Sequence, residues 1–199
     1  ADVATERARP KAISYVLAGG LMAALFGPEI ARNTVQSVPD YLYAGCYFSV
    51  SAVQVISLLV LAGIKIPKPH LTQKGGRPLG VFFRNPEFVV GMTCSAIGYA
   101  LMSYMMTATP LQVVNVAQLG TSANATIIQW HVVAMFAPSF FTGNLIQRFG
   151  IIKILSVGLL AYIVAMITAL AGDRFLYYLV ALFLLGLGWN FLYVGGSAL

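Results

Sequence analysis

Apolar residues gather along the chain in six long stretches: Ala12–Ala31, Tyr41–Ile64, Phe88–Leu111, Thr126–Ile146, Ile151–Ala171 and Phe175–Leu199. A helix needs about 20 mostly apolar residues to cross the hydrocarbon core of a bilayer, and each stretch reaches that length. Together they take up about two thirds of the sequence. The pattern predicts an all-α, polytopic transmembrane helix bundle with six spans.

Composition sharpens this reading. The chain has 199 residues, of which 59% are hydrophobic and 9% charged, and its mean hydropathy is +0.82. A soluble domain carries roughly 25% charged residues, so soluble enzymes, nucleic-acid modules and disordered linkers are all poor fits. Only Glu29 and Lys153 among the charged residues fall inside an apolar stretch, each near an end. Cys46 and Cys94 lie in separate stretches without paired spacing and read as small buried hydrophobes. The sequence starts at Ala1 and ends within an apolar stretch at Leu199, which suggests a piece of a longer chain.

The net charge of +6 is unevenly placed. Cationic residues beside membrane segments are retained in the cytoplasm. Alternate connections collect Arg7, Arg9, Lys11, Lys65, Lys68, Lys74, Arg77, Arg84, Arg148 and Lys153 on one side, against Arg32 and Arg174 on the other. Both ends of the piece and the Lys65–Glu87 connection are therefore expected inside, with anionic-lipid contact by these cations as a further reading. That connection also carries Pro67, Pro69, Gly75, Gly76, Pro78 and Gly80, a composition that resists regular structure. It divides the chain into residues 1–64, a linker 65–87, and residues 88–199. The triplet Asn124-Ala125-Thr126 matches a glycosylation acceptor, but it abuts a membrane stretch and is discounted.

Two segments carry more specific information. Gly143-Asn144-Leu145-Ile146-Gln147-Arg148-Phe149-Gly150, followed by Lys153, combines a glycine that permits close helix approach with one that permits a sharp turn. Arg148 is placed to meet helix-end carbonyls or a carboxylate on a neighbouring helix. This segment resembles the loop signature G-x-L-x-D-R-x-G-R of the major facilitator superfamily, matching at Gly143, Leu145, Arg148 and Gly150. Gln147 stands for the acid and Ile151 for the basic residue after the glycine, as in the more degenerate copy between helices 8 and 9. The second segment, Ala23-Ala24-Leu25-Phe26-Gly27-Pro28-Glu29-Ile30, resembles the G-x-x-x-G-P-x-x-G-G motif on helix 5 of facilitator antiporters. Its Gly27-Pro28 core is kept, with Pro28 expected to kink the helix; the antiporter-specific ending is lost. The two resemblances agree in order, side and spacing. They imply helices 5–10 of a twelve-helix facilitator: residues 1–64 close the first bundle, 65–87 join the halves inside, and 88–199 open the second.

Polar side chains at membrane depth are costly and usually face a bundle interior or an aqueous cavity. His131 lies roughly 7 Å inside the outer end of its helix at 1.5 Å per residue, on a stripe with Met135, Ser139 and Thr142. A cavity-facing role and a neutral, packed histidine both fit. Gln129, Asn190, Trp189, Tyr99, Met102, Thr107 and Ser139 are further cavity candidates, aromatic faces stacking on a planar solute while amides fix its edge. A planar vitamin such as riboflavin is one solute of that kind. Glu29, three residues before Arg32, suits a helix-end ion pair more than a coupling carboxylate. No phosphate-cradling loop, metal-ligand cluster or triad spacing is present, and no cofactor or nucleic-acid partner is expected. The resemblance implies a secondary transporter of a small solute working by alternating access in a bacterial inner membrane, with proton coupling open. The expected partners are the solute, the lipid bilayer and the remainder of its own chain. A membrane-embedded lipid-modifying enzyme and a non-transporting scaffold or sensor are the alternatives.

Overall fold

The structure, a computed structural model, describes residues 9–64 and 79–198, and every regular element among them is helical. In chain order they are α1 (Arg9–Thr34), α2 (Ala44–Gly63), the short α3 (Leu79–Phe83), α4 (Pro86–Leu111), α5 (Gly120–Phe136), α6 (Ser139–Phe149), α7 (Ile151–Leu170) and α8 (Phe175–Ala198). Of the expected cytoplasmic cations, Arg7, Lys65, Lys68, Lys74 and Arg77 lie outside the described residues, as does most of the linker.

Local chemistry sets several boundaries. The Asn85 side chain accepts from the Glu87 N–H at 3.1 Å, with Pro86 at the first helical position and Glu87 in the first turn. That combination satisfies an orphan donor, needs no N–H where none could be used, and suits the positive helix end. At the end of α1, Thr34 Oγ1 and Asn33 Nδ2 donate back to the Ile30 and Glu29 carbonyls. Gly150 separates α6 from α7 at φ 87°, a conformation that favours glycine.

Three sequence expectations change. The stretch Thr126–Ile146 is not one straight span: it is α5 and α6, bent by 45° at Ala137-Pro138. Pro138 offers no N–H to the preceding turn, and the ladder resumes where Phe141 and Thr142 donate to the Pro138 carbonyl at 2.9 and 2.8 Å. The stretch Phe88–Leu111 runs on as a π-helical segment, Gln112–Val116, closed by Ala117 N–H on the Gln112 carbonyl at 2.9 Å. The connection to α5 shrinks to Ala117–Leu119. Finally, the linker is not wholly irregular, because Leu79–Phe83 forms α3.

Four helices among the described residues are long and apolar enough to cross a membrane: α2, α4 with its π extension, α7 and α8. The bent α5–α6 pair makes a fifth where the two halves are one span. The sixth expected stretch, Ala12–Ala31, falls within α1.

Helix α8 is the centre of the packing. It lies against α4, α5 and α7, while α1 packs on α5 and α2 on α1. The buried core joins Met102 of α4, Met135 of α5, Leu155 and Tyr162 of α7, and Leu185 and Trp189 of α8. Tyr162 Oη donates to the Gly98 carbonyl at 2.8 Å, tying α7 to α4. Small residues allow these approaches: a Cβ at Gly188 would sit 2.8 Å from the Gly158 carbonyl. The exterior is apolar, with Leu58, Leu59, Leu160, Ile167 and Leu170 more than half exposed. In water that would be a large adhesive patch; in a bilayer it is the ordinary outside of a helix.

Candidate functional site

The break between α5 and α6 exposes backbone acceptors within an apolar core, where an unpartnered carbonyl is costly. Asn190 on α8 answers this. Its Nδ2 donates to the Met135 carbonyl at 2.7 Å and to Ser139 Oγ. Its Oδ1 accepts from the Thr142 hydroxyl at 2.7 Å, and that hydroxyl is also 2.8 Å from the Pro138 carbonyl. Asn190 and Thr142 are fully buried. The network therefore acts as a brace across the break, with every polar atom of the carboxamide engaged.

One turn above, His131 is also fully buried, its Nδ1 2.6 Å from the Leu182 carbonyl. A carbonyl only accepts, so Nδ1 carries the proton and Nε2 of the neutral ring is an acceptor. That Nε2 has no partner among the described residues, and neither does the buried Trp189 Nε1. Helix α8 comes very close here: a Cβ at Gly186 would lie 2.5 Å from the His131 carbonyl and 3.2 Å from Nδ1. The spare hydrogen-bonding capacity beside the break is thus the His131 acceptor on α5 and the Trp189 donor on α8, with Asn124 Oδ1 a further unpartnered acceptor two turns before His131 on α5.

The sequence candidates divide accordingly. His131, Ser139, Asn190 and Trp189 come together at the contact of α5–α6 with α8, and Met102 joins Trp189 and Met135 in the same core. Trp189 stacks on Tyr193 with centroids 4.8 Å apart and planes 9° from parallel. Gln129 points elsewhere, its Nε2 donating to the Leu25 carbonyl of α1 at 2.9 Å. Tyr99 and Thr107 do not join the group. Tyr99 is exposed, and the exposed Thr107 donates to Ser103 of its own helix at 2.9 Å. Helix α4 is apolar around most of its circumference, so hydropathy does not mark which face turns inward. Sequence reasoning also missed Tyr162 and the close-packing glycines 158, 186 and 188; the Gly186-Leu187-Gly188 spacing was the available signal.

A family model described as Major Facilitator Superfamily matches residues 1–199, the whole chain. The chain belongs to the major facilitator superfamily. It is 41% identical over 202 residues to the riboflavin transporter RfnT of Brucella anthropi, covering all of this chain and 50% of that protein. It is 28% identical over 218 residues to each of two MFS-type transporters of Bacillus subtilis, YddS and YdeG, again covering 100% of this chain and 50% of theirs. The chain therefore spans about half the length of these relatives. No solved structure matches it. As a facilitator with several apolar helices, it is a multi-pass membrane protein.

The two facilitator-like segments can now be located. Gly150 makes the turn between α6 and α7, its N–H donating to the Ile146 carbonyl at 2.9 Å. Arg148 and Lys153 are exposed, and Leu145 is half-buried. Arg148 pairs with no carboxylate among the described residues; its guanidinium lies 5.3 Å from the Phe149 ring instead. The close approach expected at Gly143 is not made, since a Cβ there, as at Gly27, would meet nothing within 4 Å among the described residues. Pro28 sits inside α1, which continues to Thr34. The expected pair of Glu29 and Arg32 does form.

Proposed function

We propose that this chain is the middle part of a secondary transporter that moves riboflavin, or a closely related planar solute, across a bacterial inner membrane by alternating access. The observation that carries the reading is the 41% identity to a riboflavin transporter along the entire chain. On this reading the chain supplies helices 5–10, with residues 1–64 ending one bundle, 65–87 joining the halves inside, and 88–199 beginning the other. Both ends of the piece face the cytoplasm, consistent with the placement of its cations.

Within the second bundle, Trp189 and Tyr193 offer a flat aromatic pair, and the His131 acceptor and Trp189 donor suit a heterocycle bearing both an N–H and a carbonyl. Asn190, Thr142 and Ser139 hold the broken helix rather than the solute, because their hydrogen bonds are already spent. Bent helices with polar backbone at membrane depth are a recurring feature of transporter sites. The solitary Glu29, paired with Arg32, favours a structural role over ion coupling. Family membership gives no support to the enzyme and scaffold alternatives.

The test is uptake of labelled riboflavin by proteoliposomes holding the full-length protein. Saturable uptake, competed by unlabelled flavin, is the expected result, and a protonophore arm reveals whether protons drive it. Flux of another solute with none of riboflavin would refute the substrate; no flux over a broad panel would refute transport.

A further inference from the structure

Helices α1 and α5 run antiparallel along one seam, and three contacts mark its length. Gly20 sits under the Phe136 ring, close enough that a Cβ there would lie 3.0 Å from the ring edge. Gln129 donates to the Leu25 carbonyl at 2.9 Å. At the far end, Arg32 Nη2 donates to Thr126 Oγ1 and lies 3.3 Å from the Ser122 carbonyl, while Nη1 is held by Glu29. As numbering rises on α1 it falls on α5, so the contacts form a continuous ladder, apolar at one end and charged at the other. The glutamate matters because a pair three residues apart fixes the guanidinium on the seam side of α1.

We propose that Arg32, positioned by Glu29, is an outer clasp between the two bundles, closed in this structure, and that its release opens the α1–α5 seam to the outside. The inference rests on the transporter reading above, which assigns α1 and α5 to different bundles and this end to the outer side. One feature makes the clasp reversible. Arg32 Nε is buried without a partner among the described residues, so the closed seam leaves a donor unsatisfied. Opening returns it to water, which offsets the bonds that break. The apolar contact of Gly20 with Phe136 has no such polar reward for separating, so the seam gives way first at the Arg32 end.

The experiment uses the full-length protein with Cys46 and Cys94 replaced by serine and one reporter, Ala125→Cys, half-buried between Ser122 and Gln129. A membrane-impermeant maleimide is applied to intact cells. Arg32→Gln should raise the labelling rate by about threefold, the weight of one partly exposed charged contact, whereas Arg32→Lys, which keeps the charge but not the two-pronged hold on Glu29 and Thr126, should fall between Arg32→Gln and the parent. Thr126→Ala removes a single hydroxyl and should move the rate in the same direction, covering the case in which Arg32→Gln fails to reach the membrane. Unchanged labelling in both variants overturns the clasp, as does labelling only from the cytoplasmic side. Riboflavin flux of the parent is measured separately: faster labelling of the variants with no riboflavin flux by the parent overturns the substrate alone, and normal flux with unchanged labelling overturns the clasp alone.

Discussion

The carboxamide of Asn190 accepts the Thr142 hydroxyl proton at 2.7 Å and donates to the Met135 carbonyl at 2.7 Å, so one side chain of α8 grips both halves of a broken helix. Replacing it with an apolar residue of similar size leaves a buried carbonyl and a serine hydroxyl short of partners. Each orphaned buried group costs about 1–3 kcal/mol. Asn190→Leu should therefore lower the unfolding midpoint of the purified full-length protein in detergent by several degrees. Thr142→Val removes one bond and should cost less. Midpoints equal to the parent in both variants would show that the brace contributes nothing to stability.

The bend itself is assigned to Pro138, which denies the preceding turn a hydrogen bond. Pro138→Ala supplies that N–H and removes the ring clash, a conflict that costs about 3 kcal/mol in a helix interior. Spin labels at the exposed positions Ser122 and Asn144 then report the geometry. At 1.5 Å per residue, straightening a 45° bend lengthens their separation by about 2 Å. An unchanged distance would assign the bend to the Asn190 contacts instead.

How far the sequence reaches is visible at particular residues. Apolar run length located α2, α7 and α8 to within a few residues, because crossing a bilayer constrains length and composition directly. The end of α6 at Gly150 and the Glu29–Arg32 pair were equally legible, since each depends on neighbours in sequence. What escaped depends on which face of a uniformly apolar helix turns inward. Nothing in the hydropathy of α4 separates Met102, which is buried, from Tyr99, which is not. Hydropathy is also blind to a missing N–H, so Pro138 lay unnoticed as a break inside an acceptable span. Gln129 was legible as a polar group at membrane depth, but its partner, the Leu25 carbonyl of α1, was not, because pairing between distant helices leaves no local trace.

The glycines give opposite expectations that a helix scale alone would not. Alanine is favoured over glycine in a helix by about 1 kcal/mol, and at Gly143 nothing among the described residues lies within 4 Å of an added Cβ. Gly143→Ala should leave stability unchanged or slightly raised. At Gly188 the same methyl would sit 2.8 Å from the Gly158 carbonyl and 2.9 Å from the Tyr162 ring. There α7 and α8 must separate, at a cost of roughly 1–3 kcal/mol for overpacking. Unfolding midpoints of the two variants, with size-exclusion profiles as a check on assembly, should diverge in sign. A Gly188→Ala midpoint at or above the parent would mean that α7 and α8 yield without cost.

His131 and Trp189 carry the spare acceptor and donor, and the two side chains separate recognition from packing. Trp189→Phe keeps an aromatic ring to stack on Tyr193, 4.8 Å away in the native pair, while deleting the indole N–H. His131→Phe fills similar space and deletes the Nε2 acceptor, at the further cost of the Nδ1 bond to Leu182. If each spare group meets the solute, each variant loses one hydrogen bond of about 1 kcal/mol. The KM for riboflavin should rise roughly fivefold to tenfold, since 1.4 kcal/mol is tenfold in an equilibrium constant. Membrane abundance should stay near the parent for Trp189→Phe, which leaves every protein–protein bond in place. The discriminating result lies in the solute: a flavin analogue methylated at its ring N–H should lose affinity for the parent but not for His131→Phe. Equal loss in both would place the His131 acceptor away from the solute.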